Sequence, residues 1–343
     1  MLAVSLVQNR SLPQKPSPLA IDPDTLGLLI PWGALVDAMR NAFCTPCDMP
    51  QRLNYTIPVH DGDAGSLLVM PAWQPGDVTG IKIVNVFPAN ARTGTRVLNG
   101  VYVLCSAVTG ETLAIFDAEA LTARRTAAVS ALAATFLARA DSTRLLIMGT
   151  GHLAPFMVEA HASVLPIRRV AVWGRNFKKA ELLSRRLSVE LRIDAEPVAN
   201  LAAALETADI VCTATLAKHP ILHGASVKPG THVDLVGGFT REMREADDEL
   251  IRCARVYVDK REAAACEAGD LVGPLSRGII TPDHILGDLS DLCTGEATGR
   301  NRSSDITLFK SVGLALEDLA AARLAFNRLK SRPRVEDRST TAG

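Results

Sequence analysis

The chain has 343 residues, with 37 basic and 37 acidic side chains that give a formal net charge of zero. Its length leaves room for two domains, and its 48% content of hydrophobic residues predicts substantial cores. The balanced charge disfavours nucleic acid as a partner, and no apolar run approaches the roughly 18 residues that cross a bilayer.

Both ends of the chain are predicted to be irregular. Residues 8–19 contain three prolines and several polar side chains, which is typical of a mobile leader, and residues 331–343 have the composition of a frayed tail. The opening segment has neither the charged region nor the small-residue cleavage site of a signal peptide.

The cysteines indicate a reducing environment. There are seven, an odd number at irregular spacings, which is not the pattern of a secreted disulfide framework. Cys44 and Cys47 form a C-x-x-C pair, but they follow a predicted helix over 31–43 instead of a strand, and no second pair completes a zinc site. The seven histidines also do not occur at spacings, such as H-x-x-x-H, at which they could bind a metal ion together. We expect a cytoplasmic protein with reduced thiols and no metal site.

The N-terminal part of the chain predicts an antiparallel sheet. Five strand-like segments follow the helix at 31–43 and are separated by short turns rich in Gly, Asp and Asn. A long predicted helix over 118–139 then leads into a second region. The five segments are 52–59, 66–73, 80–87, 100–107 and 112–118.

The segment RLLIMGTGHLA, residues 144–154, predicts a dinucleotide site. An apolar strand meets a glycine-rich turn, in which Gly149 allows the tight turn, Gly151 lets the backbone approach a pyrophosphate, and Ala154 lets the next helix pack closely. The anion would then lie on free N–H groups at the start of a helix over 153–163. The cofactor-binding residues predicted in this turn are Gly149, Thr150, Gly151, His152 and Leu153.

The second strand of this unit, within 168–176, favours NADPH. An NAD site usually has an Asp or Glu at the end of this strand, but here Arg175 stands there, with Lys178 and Lys179 close behind. A guanidinium suits a 2′-phosphate better than a 2′-hydroxyl. The alternative is an ordinary solvated helix start, and NADH remains a second possible cofactor.

The rest of this region predicts an open parallel sheet. Strands within 208–215, 231–238 and 254–259 alternate with helices over 177–189 and 201–206. Ligands bind at the carboxyl ends of such strands. The predicted cofactor-binding residues at these ends are Thr213, Thr215, Val236 and Gly237.

A last predicted helix, 311–330, can return to the first sheet. The fold class is therefore α/β, with a Rossmann-like parallel-sheet NAD(P)-binding domain inserted in an α+β antiparallel-sheet domain. We expect the substrate-binding and dimerisation domain to comprise 1–125 plus 311–343, and the dinucleotide-binding domain to comprise 126–310.

These residues carry a family resemblance. From about 20 to 330 the chain resembles the ornithine cyclodeaminase and mu-crystallin family, and most of all its bacterial Δ1-pyrroline-2-carboxylate and Δ1-piperideine-2-carboxylate reductases. The resemblance implies reduction of cyclic ketimines to L-proline and L-pipecolate, in proline or lysine metabolism, and a homodimer. It rests on segments 50–52, 69–73, 80–90, 121–128, 231–238, 267–271 and 306–313, with the glycine turn at 149.

A cyclic ketimino acid presents one carboxylate and one C=N bond, so its site needs a cation. Arg52 and Lys82 are candidates, because a guanidinium can hold a carboxylate with two hydrogen bonds and Lys82 interrupts an apolar strand. Alternation also allows Lys82 to lie on a solvated face. The resemblance implies that both residues bind the substrate carboxylate. As a hypothesis, Lys82 also donates a proton to the ring nitrogen.

Further roles come from the resemblance alone. It implies that Arg125 and Thr126 bind the cofactor phosphates, that Ser311 contacts the cofactor, and that Glu267 lies at the substrate pocket and acts in catalysis. From the pattern alone, Arg125 would be a surface charge and Glu267 an ordinary carboxylate.

Phe239 departs from the cyclodeaminase pattern. Cyclodeaminases have an aspartate after the glycine pair, whereas here Phe239 follows Gly237 and Gly238. A phenyl ring cannot act as a base, but it can pack on a pyrroline or nicotinamide ring in the substrate site. This position favours a reductase. A cyclodeaminase, a non-catalytic NADPH and small-ligand binder of the mu-crystallin type, and a dehydrogenase of open-chain amino acids such as alanine remain the alternatives.

Overall fold

The computed structural model describes residues 17–59, 64–238 and 240–331. The predicted leader up to residue 16, the tail from residue 332 and Phe239 lie outside the described residues.

The first half of the chain forms a six-stranded sheet. Its order is β1-β6-β5-β4-β3-β2, and the strands from β2 to β6 are antiparallel, as predicted. The sequence pattern missed β1, which begins at Leu19 in the segment predicted as a leader and pairs parallel with β6. The strands are β1 (Leu19–Ile21), β2 (Leu53–Ile57), β3 (Gly65–Trp73), β4 (Val78–Val86), β5 (Leu98–Ser106) and β6 (Thr112–Asp117).

Helices cover one face of this sheet. In β4 alternate residues are buried, because they face the last helix of the chain, which packs across β3 and β4. That helix begins at Ala315, later than the predicted 311, and residues 311–314 form a loop before it. The helices of this half are α1 (Pro23–Leu29), α2 (Trp32–Phe43), α3 (Asn90–Thr93) and α4 (Ala118–Leu137).

Helix α4 joins the two halves of the molecule. It begins where the Asp117 carboxylate accepts a hydrogen bond from Ala120 N at 2.8 Å, and it ends two residues before the predicted 139. Residues around its whole circumference are buried, because it contacts α2 and β5 on one side and strands of the second sheet on the other. Residues of α4 therefore contact both sheets.

The second sheet has eight strands, and all its pairings are parallel. The predicted strands β7, β8, β10, β11 and β12 are confirmed, whereas the sequence pattern missed β9, β13 and β14. The order is β13-β12-β14-β11-β10-β7-β8-β9. The strands are β7 (Arg144–Met148), β8 (Arg169–Trp173), β9 (Asp194–Pro197), β10 (Ile210–Thr213), β11 (His232–Leu235), β12 (Arg255–Val258), β13 (Ile285–Asp288) and β14 (Thr307–Lys310).

The direction of the strand order reverses at β7. From there β8 and β9 extend to one side, while β10 and β11 lie on the other, and ligands bind in the crevice that such a reversal creates. The helices of this half are α5 (Leu153–Val164), α6 (Phe177–Leu191), α7 (Leu201–Thr207), α8 (Asp248–Cys253), α9 (Arg261–Glu267), α10 (Gly269–Ser276), α11 (Leu289–Thr294) and α12 (Ala315–Lys330).

Within the described part of the chain, no helix combines the length and apolar character that a membrane crossing requires. The two-sheet α/β fold class predicted from the sequence is confirmed.

Candidate active site

The glycine turn lies between β7 and α5, at the reversal point of the second sheet. Gly149 has a φ of +129°, and a Cβ there would collide with the carbonyl oxygen of Ala214, so this position requires glycine. Gly151 faces open space, since a Cβ there would meet nothing within 4 Å. His152 precedes α5 without a side-chain cap, and the Leu153 N–H is the donor that the first turn offers to an anion, since Ala154 N already bonds to Gly151 O and Pro155 has no N–H. This turn fits a dinucleotide pyrophosphate.

Arg175 lies in the connection from β8 to α6. It is exposed, and Gly174 before it packs so closely on Thr150 that a Cβ would lie 2.7 Å from the threonine Cγ2. The Asn176 side chain caps α6 by accepting a hydrogen bond from Lys179 N at 3.2 Å. The predicted phosphate-binding arginine therefore stands beside the glycine turn.

One buried carboxylate holds the carboxyl ends of β10 and β11. Glu245 accepts hydrogen bonds from Thr213 Oγ1 at 2.6 Å, Gly237 N at 2.7 Å, and Thr215 N and Oγ1 at 2.8 and 2.7 Å. Val236 N bonds to Thr213 O at 3.1 Å. The structure thus brings these four predicted cofactor residues together. The sequence pattern missed Glu245, because nothing distinguishes it from the other acidic residues of the polar segment 243–249.

Lys82 lies on the face of β4 that packs against α12. It is only 3% exposed, so the solvated position that the alternation allowed is wrong. Its Nζ is 2.7 Å from Asp318 Oδ2 and donates a hydrogen bond to Thr122 Oγ1 at 3.3 Å. Burial lowers the pKa of Lys82 to about 8, although the Asp318 carboxylate acts in the opposite direction. A lysine with this pKa can donate and recover a proton near neutral pH.

Arg125 belongs to the same buried cluster. Its Nε is 3.0 Å from Asp318 Oδ1, and its Nη1 pairs with Glu317, so it is not the surface charge that its pattern suggests. Asp318 therefore bridges Lys82 and Arg125. Thr126, the next residue, is half-buried. The sequence pattern did not identify Asp318, because acidic residues in the first turn of a helix are common on solvated surfaces.

Arg52 and Glu267 meet in a cavity of about 350 Å³ between the start of β2 and the loop after β14. Arg52 Nη2 is 3.2 Å from Glu267 Oε2 and donates to Gly313 O at 2.7 Å. Burial raises the pKa of Glu267, with Arg52 opposing the shift. The lining residues are Met49, Pro50, Gln51, Arg52, Met70, Lys260, Glu262, Ala263, Cys266, Glu267, Gly313, Leu314 and Ala315.

The loop after β14 separates this cavity from the Lys82 cluster. Gly313 has a φ of +81°, and a side chain there would meet the Arg125 guanidinium directly behind the cavity wall. Asp259 Oδ2 fixes the loop by accepting hydrogen bonds from Val312 N and Gly313 N, both at 2.7 Å. Ser311 is buried at its start, with its N–H 3.4 Å from Leu235 O at the end of β11. The loop thus lies between the Arg52 cavity and the Lys82 cluster, and its first residue adjoins the carboxyl end of β11, where cofactor-binding residues are predicted.

Comparisons with known proteins agree with this architecture. A family model described as the ornithine cyclodeaminase/mu-crystallin family matches residues 30–333. The Δ1-pyrroline-2-carboxylate reductase of Colwellia psychrerythraea is 37% identical over 300 residues, which cover 86% of this chain and 94% of that protein.

Solved structures are similar over nearly the whole chain. Thermococcus litoralis Δ1-pyrroline-2-carboxylate reductase, in complex with NADH and L-proline, matches with a TM-score of 0.85 and 32% identity, over 91% of this chain and 97% of that one. An archaeal alanine dehydrogenase dimer with bound NAD matches with a TM-score of 0.83 and 28% identity, over 92% and 96%.

The fold and the glycine turn define a dinucleotide-binding α/β protein with a second, mainly antiparallel sheet. Within that class, the chain belongs to the ornithine cyclodeaminase/mu-crystallin family, as its sequence motifs predict.

Proposed function

We propose that this protein reduces cyclic ketimino acids with NAD(P)H, converting Δ1-pyrroline-2-carboxylate to L-proline and Δ1-piperideine-2-carboxylate to L-pipecolate. It is an oxidoreductase that acts on a C=N bond. The observation that carries the proposal is the Arg52 and Glu267 cavity, separated by one glycine loop from a buried lysine with a pKa of about 8. A membership in proline or lysine metabolism, a cytoplasmic location and a homodimer are part of the same proposal.

Each residue has a distinct task in this reaction. Arg52 binds the substrate carboxylate through its guanidinium, in exchange for part of its contact with Glu267. Lys82 keeps the ring nitrogen protonated, while Asp318 holds the ammonium in place. When bound along the glycine turn, NAD(P)H supplies the hydride that the C=N carbon accepts. Hydride at carbon and proton at nitrogen together give the secondary amine.

The cofactor role is proposed for residues that the structure places around the reversal point. The turn at Gly149, the ends of β10 and β11 fixed by Glu245, and Ser311 all lie along the carboxyl edge of the sheet. We propose that Arg125 and Thr126, on the adjacent helix α4, bind the cofactor phosphates. The two proposed domains, 1–125 plus 311–343 and 126–310, would then meet at this edge.

The direct test is a spectrophotometric assay of NADPH and NADH consumption with the two cyclic imines. Oxidation of the cofactor on addition of imine supports the reductase and contradicts a non-catalytic binder. Release of ammonia from ornithine, with no net change in cofactor, would support the cyclodeaminase instead and overturn the argument from Phe239. Oxidation with pyruvate and ammonia but not with the imines would favour an open-chain amino acid dehydrogenase.

The preference for NADPH is expected to depend on Arg175. We predict that Arg175→Asp lowers the ratio of kcat/KM for NADPH to that for NADH at least tenfold, because a carboxylate repels the 2′-phosphate and accepts a hydrogen bond from the ribose hydroxyl (about 1.4 kcal/mol per tenfold). Arg185→Asp, the same charge change at an exposed position further along α6, is the control. An unchanged ratio in Arg175→Asp would remove the phosphate-binding role.

Substrate binding is expected to depend on Arg52. Arg52→Lys keeps the positive charge but loses the two-pronged grip, so we predict that KM for the imino acid rises about 10- to 100-fold, in line with about 1.5–3 kcal/mol for a hydrogen bond to a charged group. KM for the cofactor should stay within about twofold. Steady-state kinetics with each reactant varied in turn measure both. A parallel rise in both constants would indicate general disruption of the cavity instead.

A further inference from the structure

Three side chains that can bind metal meet inside the second sheet. His161 on α5, Cys212 on β10 and Asp234 on β11 are completely buried, and their ligand atoms lie within 4.8 Å of one another. The sequence spacing predicts no metal site, because these residues are far apart along the chain. The fold brings them together, and none of them has a role in the reaction proposed above.

The distances among the three atoms suit one small dication. Cys212 Sγ is 3.6 Å from His161 Nε2 and 3.7 Å from Asp234 Oδ2, and the last two atoms are 3.8 Å apart. A tetrahedral zinc ion with Zn–S of about 2.3 Å and Zn–N or Zn–O of about 2.0–2.2 Å separates its ligands by about 3.3–3.7 Å. The three atoms therefore stand close to the corners of one face of such a tetrahedron.

The surrounding hydrogen bonds orient these ligands. His161 Nδ1 is 2.8 Å from Met157 O, and because a carbonyl can only accept, Nδ1 carries the hydrogen and Nε2 keeps its lone pair. That lone pair belongs to the nitrogen nearest Cys212. Ser130 Oγ donates to Asp234 Oδ1 at 3.2 Å and leaves Oδ2 for the ion. Metal-binding histidines and carboxylates are typically supported in this way.

The charges also balance. A thiolate, a carboxylate and a neutral imidazole neutralise a dication, which is what an apolar interior requires. A mixed sulfur, nitrogen and oxygen set favours zinc over magnesium or calcium.

We propose that His161, Cys212 and Asp234 bind one zinc ion between α5 and the second sheet. The ion links α5, β10 and β11, which lead directly to the proposed cofactor residues Leu153, Thr213 and Val236. Because its ligands are buried, the ion enters as the chain folds. Its role is to stabilise the cofactor-binding half of the molecule, and not to take part in the reduction.

The full chain can be unfolded and refolded with zinc or cobalt, freed of loosely bound ions, and assayed for metal content. We expect about one ion per chain, and in the cobalt form a thiolate charge-transfer band with strong visible bands of tetrahedral cobalt. Asp234→Asn and Cys212→Ser should lower the content at least about tenfold. Cys253→Ser, which removes an exposed thiol on α8, should leave it unchanged.

Two results would overturn the proposal. One is a refolded wild-type chain with native circular dichroism but no stoichiometric metal and no thiolate band. The other is equal metal content in wild type and Asp234→Asn, which retains the size of the side chain and its contact with Ser130. Should a variant not fold, the cobalt spectrum of the wild type still decides. None of these readouts depends on imine reduction.

Discussion

Replacement of Lys82 by methionine should reduce kcat for imine reduction by about 10²–10⁴-fold, the usual contribution of a positioned proton donor. Methionine fills a similar volume in the buried face of β4, and Arg125 still pairs with Asp318 after the change. Cofactor affinity, measured by fluorescence titration, should therefore stay within about twofold. Equal losses in kcat and in cofactor affinity would contradict a proton-donating role.

The same assignment predicts the pH dependence. Burial lowers the pKa of Lys82 to about 8, and the proton-donating form is the one that exists below this value. We expect kcat/KM of the wild type to be constant below the pKa and to fall as the pH rises through about 8. The residual activity of Lys82→Met should lack this decline. A profile of the variant that retains the same alkaline limb would assign it to another group.

Replacement of Asp318 by asparagine should destabilise the protein by about 3–5 kcal/mol, the usual cost of removing one partner from a buried ion pair. Asp318 lies 2.7 Å from Lys82 Nζ and 3.0 Å from Arg125 Nε, so the variant leaves two buried cations facing each other with one carboxylate fewer. Equilibrium unfolding in urea measures the change through its midpoint.

Glu317→Gln is the matched control, because it alters the neighbouring carboxylate on the same helix turn. Burial raises the pKa of Glu317 to about 7, so this carboxyl group is already partly neutral. Glu317 forms an ion pair with Arg125, whereas Asp318 pairs with both Arg125 and Lys82. We expect a loss of about 1 kcal/mol. Equal losses in the two variants would mean that sharing of Asp318 between two cations has no special importance.

The fold was largely predictable, because its signals are local. Apolar runs and glycine turns identified five strands of each sheet, and the turn at Gly149 has the backbone conformation that its motif requires. Strand β9 was missed because its sequence, DAEP, has two acidic residues and a proline, and strands β13 and β14 were missed because ILGD and TLFK each have only two apolar residues in a row. The strand β1 was missed because proline and polar residues surround it.

The charged cluster was beyond reach from the sequence. Arg125 and Asp318 are 193 residues apart, and nothing local distinguishes a buried aspartate in a first helical turn from an exposed one. Glu245 and Asp259 were missed for the same reason, although they hold the strand ends and the loop at Gly313. Lys82 stood out only because it interrupts an apolar strand. Polar groups that fix a site are recognised by their partners, which only the fold supplies.

The short parallel strand β1 has a consequence for assembly. By pairing with β6 it forms one edge of the six-stranded sheet, and because it has only three residues it presents few free backbone groups to a further strand. Among the described strands of this sheet, β2 is then the longer edge strand, and its residues Leu53 and Tyr55 are both about half exposed. If the proposed homodimer forms by pairing of β2 with β2 of a second copy, no free edge of this kind remains, so growth would stop at two copies instead of continuing into a fibre.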